Sequence, residues 1–134
     1  MPLSRQRRFP RSRASVGAAR TFVHQVLMDW DRLDRLDDVT LCASELATNA
    51  LLHGVPPGRQ YCVTLTLDGP LLRLAVRDTG DHPAPAGPPA EDACSGRGLH
   101  LAREVSDDLG VTEHVIGKTV WVVFKTDGET DGGV

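Results

Sequence analysis

Apolar residues along this chain change their repeat partway, and that change limits the folds open to it. Val16, Ala19, Phe22, Val23, Val26, Leu27 and Trp30 recur at helical spacing, as do Val39, Ala43, Leu46, Ala47, Ala50 and Leu51. Two amphipathic helices are therefore expected first. The second should open near Asp37 or Asp38, either of which could cap it, and stop at Gly54-Val55-Pro56-Pro57-Gly58. From Tyr61 the pattern becomes alternation: Tyr61, Val63, Leu65 and Leu67, then Leu72, Leu74 and Val76 after an Asp68-Gly69-Pro70 turn. That reads as a β-hairpin. Leu99, Leu101, Ala102 and Val105 suggest a short third helix with Gly110 after it. Val111 to Val115 and Val120 to Phe124 form two further strands about Ile116-Gly117-Lys118. This order predicts an α/β (α+β) two-layer sandwich, with a mixed, mostly antiparallel sheet and helices on one face. Strands joined by hairpins argue against a doubly wound parallel sheet.

A chain of 134 residues accommodates one such domain. Residues 1–13 are expected to be a basic flexible arm, 14–125 the globular domain and 126–134 a disordered tail. The arm carries Arg5, Arg7, Arg8, Arg11 and Arg13, which would suit an anionic partner, although a solvated leader is the commoner use of such a segment. Aromatic residues make up only 4% of the chain and the arm has no base-reading motif, so direct nucleic-acid binding is not expected. No apolar run approaches the roughly 20 residues that cross a bilayer, and no apolar stretch follows the arginines as in a secretory signal. Cys42, Cys62 and Cys94 form no CxxC pair. Reduced thiols in a cytoplasmic protein are expected.

Several motifs fail on inspection. Gly117-Lys118-Thr119 invites a P-loop reading, but Thr112 stands where that loop needs its first glycine and a β-like segment follows instead of a helix. Gly96-Arg97-Gly98 could begin a dinucleotide fingerprint, yet Leu101 occupies the third glycine position. The histidines and cysteines have no zinc-ligand spacing.

One set of residues holds together. Glu45, Asn49 and His53 are four apart, hence about 40° apart around a helix, and form a polar strip. Asn49 offers a hard carbonyl oxygen suited to Mg²⁺, and Glu45, one turn earlier, could take a proton from a hydroxyl or water. Asp78 ends an alternating strand beside Thr79-Gly80, where its carboxylate could accept the exocyclic amine of adenine. Gly96-Arg97-Gly98 opens a helix whose amides could hold phosphates. Each piece has an ordinary alternative: a solvent-facing helix strip, a turn aspartate, a plain loop-to-helix junction.

Taken in order, ELxxNAxxH on a helix, DxG after a strand, a loop from Asp81 to Ser95 containing four prolines, and GRGL opening a helix resemble the GHKL ATPase superfamily, the Bergerat ATP-binding fold. Within it the chain is similar to the stand-alone serine kinases that act as anti-sigma factors, over about residues 14–125. The resemblance implies ATP and Mg²⁺ as cofactors, Glu45 as general base and Asn49 as the Mg²⁺-binding residue. It further implies that Asp78 contacts the adenine amine and that Gly80 lets the base approach the backbone. The loop from Asp81 to Ser95 would be the lid, with Gly96, Arg97, Gly98 and Leu99 on its far side. Thr119 would support the adenine, often through water. His82 replaces the second glycine usual in the DxGxG box, which would alter lid movement. Gyrase-like and chaperone relatives carry further domains and sensor kinases a helical hairpin, and neither is expected here. The implied function is a regulatory serine kinase that binds a sigma factor and phosphorylates a small antagonist protein on serine, with homodimers frequent among relatives. The alternative is a catalytically weak ATP-binding interaction module.

Overall fold

The computed structural model describes residues 2–51, 60–78, 97–114 and 117–126. Among them are strand β1 (Leu3–Pro10), helices α1 (Arg13–Asp29) and α2 (Leu36–Asn49), strands β2 (Gln60–Asp68) and β3 (Leu71–Asp78), helix α3 (Arg97–Val105), and strands β4 (Asp108–Glu113) and β5 (Lys118–Lys125). The strands form a five-stranded sheet of order β1-β2-β3-β5-β4, antiparallel at every pairing. The expected two-layer sandwich is thus present.

The layers follow from the two repeats. Val23, Val26 and Leu27 on α1 and Val39, Ala43, Leu46 and Ala47 on α2 are buried against Val63, Leu65, Leu72, Leu74, Val122 and Phe124 of the sheet. Fully burying one such side chain contributes about 1.5–3 kcal/mol. The second hairpin face carries Thr64, Thr66, Arg73 and Arg77, which alternate with the buried set. A two-residue turn joins β2 to β3, pairing Asp68 with Leu71. Gly69 takes its first position at φ +61°, as a II′ hairpin turn demands.

The first residues depart from the expected flexible arm. Leu3–Pro10 pairs along its whole length with β2, and only Phe9 of the strand is buried. Phe9 stacks on Tyr61 with ring centroids 5.8 Å apart and meets Phe22 edge-on at 5.9 Å. Arg5 bonds Asp29 at 2.6 Å and lies over the Trp30 ring. The segment is ordered by ladder hydrogen bonds and one aromatic anchor, a combination its arginine content concealed.

Two boundaries also move. α2 begins at Leu36 with Arg35 as N-cap, and Asp37 and Asp38 lie in its first turn, where a carboxylate favours the positive helix end without capping it. Gly110, expected to follow α3, sits within β4. A Cβ there would lie 2.3 Å from the Trp121 ring, so the indole lies across the strand at the only residue type that leaves room.

Ser15, near the start of α1, joins that helix to β2. Its hydroxyl donates to the Ser12 carbonyl (2.7 Å) and lies 2.6 Å from the Tyr61 hydroxyl. A hydroxyl has one proton, so the fully buried Tyr61 is the donor in the second bond. No helix among the described residues is long and apolar enough to cross a membrane.

Candidate nucleotide site

α2 and α3 run antiparallel on the sheet. Arg35, at the start of α2, donates from Nη2 to the Val105 carbonyl at the end of α3 (2.9 Å), and further along the Cys42 thiol meets the Ala102 carbonyl at 3.8 Å. The last turn of α2 is therefore directed to the same end as the first turn of α3. The sheet has the same polarity. Arg35 Nη1 donates to the Lys125 carbonyl (2.9 Å), and Lys125 pairs with Leu71 at the start of β3. β3 thus runs away from Arg35 toward the end where Asp78 terminates it. Asn49, Asp78 and the N-terminus of α3 gather at one end of the molecule, and Arg35 pins the other.

Asn49 is only 8% exposed. This is no solvent-facing strip. Glu45, one turn earlier, is half-buried. Its charge reaches the core: burial first, then the carboxylates of Asp38 and Glu45, push the Cys42 thiol up to about 12. Cys42 therefore stays protonated and inert at neutral pH.

Asp78 is 5% exposed and pairs with Tyr61, whose side chain is in the core. Strand alternation puts its carboxylate on the helix-bearing face. Gly117, which precedes β5, packs directly on it: a Cβ at Gly117 would lie 2.6 Å from the Asp78 carbonyl oxygen and 3.0 Å from Oδ1. Gly117 has φ +81°, open to glycine at little cost, and its carbonyl accepts the His114 N–H at 3.1 Å. In the sequence Gly117 is marked as a turn residue and as part of a failed P-loop match. Its proximity to Asp78 comes from the β3–β5 pairing, which no local pattern announces.

The remaining expected residues divide. α3 begins at Arg97, so Arg97, Gly98 and Leu99 contribute the first turn, whose N–H groups lack intrahelical partners. No acidic side chain occupies that turn, and a helix N-terminus favours an anion. Leu99 is 5% exposed and belongs to the core, so its backbone alone can contact a ligand. Thr119 does not join the site. It pairs with Arg77, not with Asp78, and alternation turns its hydroxyl to the opposite sheet face, 2.8 Å from His114 Nε2. By the same alternation Lys118 shares Asp78's face. Gly80, Gly96, His53, His82 and the expected lid lie outside the described residues.

The donor set fits Mg²⁺ bound with a nucleotide. Among the described residues no three His, Cys, Asp or Glu side chains converge as a metal cage. An amide oxygen is a hard donor that Mg²⁺ can take beside phosphate oxygens and water.

A family model described as the histidine kinase-like ATPase domain matches residues 9–124. The chain belongs to this family, and the resemblance drawn from its motifs is borne out at that level. ATP binding in a kinase-like domain is the activity class this membership defines. Among solved structures, the crystal structure of the RsbU and RsbW domains of Rv1364c from Mycobacterium tuberculosis aligns with a TM-score of 0.69 at 18% identity, over 94% of this chain and 32% of that one. The histidine kinase domain of the Erythrobacter litoralis EL346 blue-light activated histidine kinase aligns with a TM-score of 0.54 at 20% identity, over 88% of this chain and 62% of that one. The chain therefore spans about a third of the first structure and less than two thirds of the second. At these identities the likeness is one of fold. A search of curated proteins found no match.

Proposed function

We propose that this protein is an ATP- and Mg²⁺-dependent serine kinase of the anti-sigma type, which holds a sigma factor in one state and phosphorylates a small antagonist protein on serine in another. The observation that carries the nucleotide part is that two buried polar residues, Asn49 and Asp78, and the first turn of α3 are directed to the same end of the molecule. The serine-kinase part rests on the motif resemblance, and the RsbW domain in the Rv1364c structure is consistent with it.

The residues divide the work by their chemistry. Asp78, acceptor-only when ionised, takes the adenine amine and so prefers adenine to guanine. The first turn of α3 receives the phosphate tail through backbone N–H groups. Asn49 would hold Mg²⁺ through its side-chain oxygen, and the bound ion would offset charge on the phosphate oxygens. Glu45 accepts the serine hydroxyl proton as the oxygen attacks the γ-phosphorus. The new O–P bond forms while the bond to the β-phosphate oxygen breaks, and ADP leaves.

Two substitutions test these roles with labelled ATP and candidate antagonist proteins. Glu45→Gln should lower phosphate transfer by roughly a hundredfold or more while ATP stays bound; undiminished transfer removes Glu45 as the base. Asp78→Asn should weaken ATP binding about tenfold or more by calorimetry, since a charge-assisted bond to the adenine amine becomes a poorer one. Equal affinity in the two proteins would take Asp78 out of the site. ATP binding without transfer to any antagonist would favour the interaction-module alternative.

A further inference from the structure

We infer that the outer face of the sheet, opposite the helices and the nucleotide site, is a docking surface for an extended acidic polypeptide segment. The inference does not depend on the kinase reading. Across the outer face of β1, β2, β3 and β5 lies a trough of about 640 Å³, lined in part by Gln6, Arg8, Thr64, Arg73 and Arg77. Arg8, Arg73 and Arg77 are exposed. Among the described residues Arg8 and Arg77 make no hydrogen bond or ion pair, and Arg73 has only the Trp121 ring beneath it, 5.5 Å from the ring centre. Asp78 touches the trough at the end of β3, but alternation turns its carboxylate to the other face. The trough therefore concentrates cations on a protein whose net charge is −3, and this local excess calls for an anionic partner.

Spacing favours an extended chain. Arg8 and Arg77 flank Cys62 in one cross-strand row, which puts their backbones roughly 10 Å apart at the usual strand separation. Arg73 and Arg77 lie on the same face of β3, roughly 13 Å apart at the usual rise. Carboxylates four residues apart on an extended segment laid along β3 have that same repeat, and each guanidinium can grip one in bidentate fashion.

Two other occupants fit less well. A nucleic-acid single strand needs exposed aromatic rings for base stacking. The aromatic ring on this face, Trp121, lies over Gly110 on one side and under Arg73 on the other. A second copy placed face to face by a two-fold axis would set this arginine group against itself.

The test uses the full chain and fluorescence anisotropy with a fluorescein-labelled oligoglutamate, with oligoglutamine and oligothymidylate as comparison probes. Oligoglutamate should bind saturably, oligoglutamine should not, and saturating ATP should leave the bound peptide in place. The double variant Arg8→Glu with Arg77→Glu should lose affinity about tenfold or more with its melting temperature retained, because both side chains are exposed. Arg103→Glu, an exposed charge change on α3, should have little effect. Any of four results overturns the inference: absence of oligoglutamate binding, an equal loss in Arg103→Glu, displacement by ATP, or tighter binding of oligothymidylate. A wild-type dimer dissolved by the double variant in sedimentation would equally overturn it, assigning the face to a second copy.

Discussion

Gly117→Ala should abolish most nucleotide affinity while the sheet still folds. Two effects act at that residue. Its φ of +81° disfavours any side chain, at about 1–2 kcal/mol for the left-handed conformation. The added Cβ would also lie 2.6 Å from the Asp78 carbonyl oxygen, a backbone atom that cannot swing aside as a flexible side chain does. Relief requires the end of β3 to move, taking the Asp78 carboxylate with it. Gly69→Ala separates these effects, because Gly69 has a similar φ of +61° and nothing within 4 Å of the added atom. Gly69→Ala should lose only the small stability of the left-handed conformation, whereas Gly117→Ala should lose more and should alone lose ATP affinity, about tenfold or more by calorimetry. Equal ATP affinity in the two variants would show that the Gly117 contact with Asp78 does not support nucleotide binding.

Arg35→Ala should be the most destabilising change of a single surface-reaching side chain. Its guanidinium donates to the Val105 and Lys125 carbonyls at 2.9 Å each, pairs with Asp38 and Asp107 at 3.2 and 3.1 Å, and lies over the Phe124 ring. The carboxylates are exposed enough that their ion pairs contribute little. The two carbonyls are another matter, since charge-assisted hydrogen bonds to them are each worth about 1.5–3 kcal/mol. A loss of about 3 kcal/mol is expected, roughly 10 °C in melting temperature for a domain of this size. Arg35→Lys should recover only part of it, because an ammonium cannot reproduce the planar fork. A melting temperature unchanged within a degree or two would mean that these bonds exchange freely with water.

The same junction gives an acid dependence. The Lys125 N–H, 2.6 Å away, and then the Arg35 guanidinium hold the Asp107 carboxyl below the usual carboxylate range. A carboxylate depressed in the folded state stabilises above its unfolded value, about 3.9, and that contribution disappears as pH falls through its folded value. Arg35→Ala should therefore reduce the loss of melting temperature between pH 5 and more acidic solutions without removing it, because the Lys125 amide remains.

What was legible in the sequence tracks whether residues signal their place locally. Helical spacing in α1 and α2 and alternation in β2 and β3 announce the buried faces directly, because water sorts side chains by face wherever one face is covered. β1 hides because its alternation is carried by long arginines, with Phe9 as the single buried side chain. Arginine at alternate positions of an edge strand resembles arginine in a loop. Residue type marks Asn49 as a candidate ligand, and the structure adds that it is buried. Thr119 was misplaced because carrying a role across by motif does not count strand parity, and one residue of shift reverses the face. Gly117 and Asp78 meet through the sheet, far apart in the chain, so neither flags the other.

The pairing of β1 also has a consequence during synthesis. Its sheet neighbour is β2, so Leu3 cannot find Leu67 until both intervening helices have left the ribosome. Among the described strands, the first in the chain waits longest for its partner, at the loop-closure cost that slows non-local pairing. An apolar strand exposed for that interval would invite aggregation. Arg5, Arg7 and Arg8 keep this one soluble, and Phe9, its one buried apolar side chain, stands at the end nearest α1. The arginines that concealed the strand in the sequence are what let it wait unpaired.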